Sequence, residues 1–166
     1  RFVAAIACLK HALYLDPFEW IVSYNLGLVH LNTSQYASAF QYFSACINQK
    51  PDFPTSYMYL AVTLSRLDDF ENACSAYEKA ISMERDVYSG FLKLHGEEDE
   101  RTFQAALNYA ASLGKLQRFK EVKALMRLKI PVARRVLGER HRVTLKTRWS
   151  YSQSLYEDPS ATLDDL

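Results

Sequence analysis

The residues in this chain that could do chemistry are four histidines, three cysteines and one concentration of basic side chains. His95 precedes Glu97, Glu98, Asp99 and Glu100. Those carboxylates supply oxygen ligands, but no second histidine stands one helical turn away to complete a metal set. The run reads instead as an acidic loop before a helix N-terminus, where negative charge complements the dipole. His30 falls on an apolar helical face and reads as packing, while His11 and His141 lie among polar residues and read as surface. Cys8, Cys46 and Cys74 are spaced 38 and 28 residues apart, which fits no zinc, redox or disulfide pattern. They read as small core residues of an intracellular protein. No Gly-x-Ser-x-Gly elbow, paired Cys and His motif or glycine-rich phosphate loop occurs. We therefore expect no catalytic residues, no metal and no cofactor, and a protein that is not an enzyme.

The basic residues Lys115, Arg118, Lys120, Lys123, Arg127, Lys129, Arg134, Arg135, Arg140 and Arg142 could grip phosphates or an acidic peptide. They are interleaved with Leu125, Leu128, Ile130 and Val136, so they read as the solvated face of helices. Net charge is −3 over residues 1–84 and +4 over residues 85–166, too mild an asymmetry to imply nucleic acid. The tail carboxylates Glu157, Asp158, Asp164 and Asp165 read as a helix start in a truncated repeat.

The elements that hold these residues follow from composition and period. Apolar residues make up 49% of the chain, with only five Gly and five Pro, which favours helices over an all-β fold. Ala5, Ala39 and Ala73 recur 34 residues apart, as do Leu9, Phe43 and Tyr77, and Ala12, Cys46 and Ala80. Pro17 and Pro51 share that register, and so do Leu26-Gly27 and Leu60-Ala61. Small residues in this order let paired helices approach to roughly 8–10 Å while large ones fill the space between pairs, and prolines stop the second helix. The spacing predicts helices near 2–15, 18–32, 36–49, 54–67 and 70–84, with N-caps at Ser34 and at Asp68 or Asp69. After residue 85 the register fails, because Arg85 stands where a proline is due. A 42-residue period then links Gly96-Glu97 with Gly138-Glu139, Thr102 with Thr144, Tyr109 with Tyr151, and Leu113 with Leu155. The chain divides into a 34-residue-period array over 1–85, a seam or short extra helix over 86–95, and a 42-residue-period array over 96–166.

Trp20, Leu26-Gly27, Tyr36, Ala39, Phe43 and Pro51 together resemble the tetratricopeptide signature. The resemblance implies an all-α, right-handed α-solenoid of helix-turn-helix repeats, about four helix pairs, truncated at both ends, that binds proteins. The stretches AIACLKHALYLDPFEWIVSYNLGLVHLNTSQYASAFQYFSACINQKPDF and YMYLAVTLSRLDDFENACSAYEKAI are similar to the tetratricopeptide subunit family of the BBSome, the coat that carries membrane cargo to and from cilia. That likeness covers the first half. It implies a trafficking scaffold in the cytoplasm at the cilium, basal body or centrosome, contacting sibling coat subunits and centriolar-satellite or motor-adaptor proteins within a hetero-oligomer. Residues Thr102, Leu107-Asn108, Ala110 and Phe119-Lys120-Glu121, then ARRVLGERHRVTL, resemble the 42-residue repeats of kinesin light chains. That second likeness implies the alternative, a cargo adaptor whose groove binds peptides, with Asn108 holding the peptide backbone. It departs at Ser150, which replaces the matching Asn, and at Gln117 and Pro159, where the family prefers Gly.

Helical spacing from Leu26-Gly27 and Leu60-Ala61 places Tyr24, Asn25 and Leu28, then Met58, Tyr59, Val62 and Arg66, on the concave side formed by the first helix of each pair. A largely apolar, aromatic surface there suits a partner helix or an extended apolar peptide, not a clamped carboxylate. Packing against another part of the same solenoid is the other reading of these positions. No side chain recurs at one fixed groove position, as RNA-reading repeats require. No apolar run reaches the roughly 18 residues of a membrane span, and no signal peptide opens the chain. The chain has no initiator Met and starts inside a helix pattern, so we expect a piece of a longer protein.

Overall fold

A computed structural model describes residues 2–162. Among them eight α-helices form: α1 (Phe2–Leu15), α2 (Trp20–Asn32), α3 (Tyr36–Gln49), α4 (Pro54–Arg66), α5 (Phe70–His95), α6 (Glu100–Lys115), α7 (Phe119–Leu137) and α8 (Arg142–Glu157). The chain divides into two compact units, residues 1–80 and residues 81–166.

In the first unit α1 packs on α2, α2 on α3, and α3 on α4. Pro17 follows the end of α1 and Pro51 the end of α3, where a ring that cannot donate an amide hydrogen bond stops the helix. Pro54 opens α4, its fixed φ suiting the first helical turn. Leu26, Ala39, Phe43, Cys46 and Ala61 are all fully buried, which is the small, large, small order acting as packing. Fully burying one such Phe contributes about 1.5–3 kcal/mol. Gly27 sits so close to the Phe43 ring that a Cβ there would lie 2.6 Å from Cε1. Ala61 and Leu64 of α4 then meet Ala73 and Ala76 of α5, with Leu60 and Tyr77 at the margin.

The turn after α2 is a Schellman motif: the Gln35 amide donates to the His30 carbonyl and the Ser34 amide to that of Leu31, at 2.8 and 3.1 Å. Ser34 is the left-handed residue of this turn, φ +58°, and therefore not the N-cap of α3 expected from its type. Asp68 repeats the geometry at φ +60°, while Asp69 accepts from the Asn72 amide at 3.3 Å and caps α5.

The helix expected to end near residue 84 runs on to His95 as part of one 26-residue element, so residues 86–95 continue α5 and form no separate short helix. No proline interrupts it, and its end comes at Gly96, whose φ of +81° suits glycine.

In the second unit α6 packs on α7, and α8 packs on both. Ile81, Ala110, Leu113, Val122 and Met126 form one core cluster, and Phe103, Ala133 and Val143 a second. The 42-residue period is structural: Gly96 and Gly138 share positive φ, and Asp99 and His141 cap α6 and α8. Thr102 and Thr144, and Ser112 and Ser154, are buried pairs in the same register. Gln117 takes φ +56° in a third Schellman turn, the conformation that makes Gly the preferred residue there.

Several side chains sit elsewhere than their types imply. Cys46 is the one buried cysteine; Cys8 and Cys74 are exposed, because each lies one residue from its apolar stripe and so turns about 100° away from it. Lys123 and Lys129 are buried, not part of a solvated face. Lys123 Nζ is 2.9 Å from Asp158 Oδ2, while Lys129 Nζ lies 5.4 Å from the Tyr88 ring centroid and 4.0 Å from a Glu97 carboxylate oxygen. Glu157 and Asp158 close α8 and start no new helix; Asp164 and Asp165 lie outside the described residues. His141 is half-buried, its Nδ1 accepting from the Val143 amide at 3.3 Å.

Candidate partner-binding surfaces

The first unit sets α2 beside α4, and the groove positions expected from spacing fall on these two helices. Tyr24 is the most engaged of them. Its ring meets Phe53 at 5.3 Å, Tyr59 at 5.9 Å and Phe43 at 6.1 Å, all edge-on, while Trp20 meets Phe53 at 4.9 Å. Edge-to-face contacts of this kind add about 0.5–1.5 kcal/mol each beyond area burial. The Tyr24 phenol is pushed up to about 12, first by desolvation, then by Tyr59. It therefore stays protonated throughout the neutral range. Tyr59 also stacks on Phe43 at 5.8 Å, so Tyr24 and Tyr59 tie α2, α3 and α4 together and present only part of their rings outward.

Asn25, Leu28, Met58 and Val62 are half-buried, and Arg66 is exposed in the last turn of α4. These five positions combine an apolar strip with one cation. His30, close by on α2, is buried, stacked on Tyr42 at 5.2 Å and held through Nδ1 by Gln35 Oε1 at 2.8 Å. It packs between α2 and α3 and does not face the strip.

The second unit opens a cleft of about 330 Å³ between α6 and α8, lined by Ala111, Gly114, Lys115, Trp149, Ser150 and Gln153 among others. Asn108 lies one turn before Ala111, exposed, with its Oδ1 accepting from Gln104 at 3.0 Å. It stands beside this cleft without lining it, while Ser150, its 42-residue counterpart, does line it. Trp149 was not among the residues singled out by sequence; its signal is the register that pairs it with Leu107. His95 is exposed, 3.3 Å from an Arg101 guanidinium nitrogen, and Asp99 accepts from the Arg101 amide at 2.9 Å. The Arg101 guanidinium beside Asp99 holds that carboxyl down to about 2. Among the described residues no group of three or more His, Cys, Asp or Glu side chains converges as a metal site would need, and no helix is long and apolar enough to cross a membrane.

Helix pairs joined by Schellman turns, with small residues at their crossings, define the tetratricopeptide-type repeat fold. Residues 8–75 match the family model described as Integrator complex subunit 8, TPR repeats. The chain is 56% identical over 85 residues to the BBSome complex member BBS4 of Xenopus tropicalis and 54% identical over 85 residues to that of Mus musculus. Each match covers 51% of this chain and 16% of the relative, so the chain spans about a sixth of the length of the curated relatives it matches. The crystal structure of BtubC (BKLC) from P. vanneervenii is similar with a TM-score of 0.55 and 15% identity, over 96% of this chain and 65% of that one. That likeness bears on the fold alone, and it extends the helical-repeat class through both units.

Proposed function

We propose that this chain is a non-catalytic protein-interaction scaffold of BBSome type, and that the α2/α4 strip of Tyr24, Asn25, Leu28, Met58, Tyr59, Val62 and Arg66 contacts a partner segment. The observation that carries the reading is the 56% identity over 85 residues to a BBSome complex member. Sibling coat subunits are the first partners in this reading, with centriolar-satellite or motor-adaptor proteins beside them, in the cytoplasm at the cilium, basal body or centrosome. Residues 1–85 carry the coat-subunit surface, and residues 96–166 form a further repeat array, with Asn108 beside its cleft as a second contact point.

Affinity purification of the full-length protein from its native cells, followed by mass spectrometry, tests the assignment. Recovery of other BBSome members supports it; recovery of kinesin heavy chain without them overturns it. Leu28→Glu and Arg66→Glu should deplete the recovered subunits with melting nearly unchanged. Full recovery from both variants removes the α2/α4 strip as the contact.

A further inference from the structure

Each helix that follows a Schellman turn opens on an aromatic ring, and the three rings are covered to different degrees. Tyr36, Phe70 and Phe119 are the first residues of α3, α5 and α7, each two positions after the left-handed Ser34, Asp68 or Gln117. Phe119 is 7% exposed and lines the cleft with Gln153 and Ser154 of α8, the helix that packs on α7. Tyr36 is half-buried, in a helix on which α4 packs. Phe70 is instead 62% exposed, and Leu67, three residues before it, is 42% exposed.

The length of α5 accounts for the difference. α3 has 14 residues and α7 has 19, but α5 has 26. Ala110 and Leu113 of α6 share a core cluster with Ile81, which lies about 16 Å along α5 from Phe70. In a helical-repeat stack each unit packs on its sequence neighbours alone. Both neighbours of the α4/α5 pair, α3 and α6, are present. Segments before residue 1 or after residue 166 belong at the two ends of the stack, so the open ring is not the next repeat's docking face.

Charge selects the occupant. Asp68 and Glu71 stand on either side of Phe70, exposed and without an ion pair among the described residues. Residues 66–74 hold three carboxylates against one cation, Arg66. A covering helix rich in Asp or Glu would be repelled there, and one carrying Lys or Arg attracted.

We propose that the ledge of Leu67 and Phe70 is a docking surface for an amphipathic, basic helix of a partner protein. Its apolar stripe takes the two side chains, and its lysines or arginines meet Asp68 and Glu71. Helix docking of this kind is read through anchors at i, i+3, i+4 and i+7, and exposed aromatics are enriched in such contacts. The ledge shares no apolar residue with the α2/α4 strip and stands whether or not that strip binds a coat subunit.

The test uses the 166-residue chain and a 16-residue helical peptide with Leu at alternating third and fourth positions and Ala and Lys elsewhere, against the same peptide with Glu for Lys. Calorimetry should give at least about tenfold tighter binding of the Lys peptide, a difference of about 1.4 kcal/mol, weakening as salt rises. Phe70→Ala should weaken that binding at least about tenfold with an unchanged melting curve, since the ring is exposed. The Asp68→Asn, Glu71→Gln double variant should bring the two peptides closer in affinity. Cys74, exposed one turn along α5 from Phe70, should react more slowly with a thiol reagent when the Lys peptide is bound, while exposed Cys8 on α1 keeps its rate. Equal affinities for the two peptides, no binding of the Lys peptide, binding that Phe70→Ala leaves intact, or an unchanged Cys74 rate each overturns the proposal. So does sedimentation of the chain alone as a dimer that Phe70→Ala dissolves, which would assign the ledge to a second copy.

Discussion

The ring of Phe43 lies against Gly27 so closely that a methyl group at Gly27 would stand 2.6 to 2.8 Å from three of its carbons. The α2/α3 crossing depends on that absence. In the next pair the same two positions are Ala61 and Tyr77, a different division of the same space.

Gly27→Ala should therefore destabilise the first unit. Overpacking costs about 1–3 kcal/mol, offset by up to about 1 kcal/mol of helix propensity gained on leaving glycine. A net loss near 1 kcal/mol lowers the melting temperature by several degrees. Adding Phe43→Leu should make the combined loss smaller than the sum of the single losses in a double-mutant cycle. Strict additivity would show that the ring does not define the crossing.

Lys123 and Asp158 set an acid limit for the second unit. Lys123 and two hydrogen bonds from Ser160 hold the Asp158 carboxyl down to about 2, against about 3.9 for an unfolded Asp. Because the folded value is the lower one, its contribution to stability is present above about pH 4 and is lost as pH falls towards about 2. Thermal melting across that window should show a steep decline. In Lys123→Met the decline should be smaller, because the ammonium that does most to hold the carboxyl ionised is gone; an unaltered pH profile would count against the pair.

Thiol reactivity should separate the cysteines. Burial pushes the Cys46 thiol up to about 11, while Cys8 and Cys74 are exposed. Two thiols per chain should react with an aromatic disulfide reagent at pH 8 under native conditions, the third only on denaturation, since the thiolate is the reacting form. Rapid reaction of all three would mean that the helices packed on α3 do not enclose Cys46.

The turns offer opposite outcomes for glycine. Gln117 takes a left-handed φ of +56°, so Gln117→Gly should stabilise the second unit by up to about 1 kcal/mol. Gly138, at φ +90° and ψ +161°, occupies a region open essentially to Gly alone, and Gly138→Ala should cost about 1–3 kcal/mol. Melting of the two variants in parallel checks both signs.

Period, composition and helix punctuation were legible because they are local. Alanine recurring at 5, 39 and 73 is a statement about one helix face repeated, and the prolines at 17 and 51 act within a turn of where they stand. The bounds of α1 and α3 follow from these directly, and α2 and α4 fall within two residues of expectation. Ser34 misled because a small polar residue suits both a cap and a left-handed turn position, and only the backbone geometry separates them. The groove positions were placed by helical phase alone, which could say which face Tyr24 points to but not that three rings from other segments close around it.

The sequence by itself determined that this is a helical repeat, since burying one stripe per helix leaves few other solutions for such a pattern. The tertiary structure alone decided that Lys123, in an otherwise basic helix, is buried beside Asp158, 35 residues later. It also decided that Trp149 is open while Leu107, its counterpart, is half-buried against a core cluster. The physical reason is the same in both cases. Exposure and pairing depend on which other element lies against a side chain, and residue type and spacing carry no term for that neighbour.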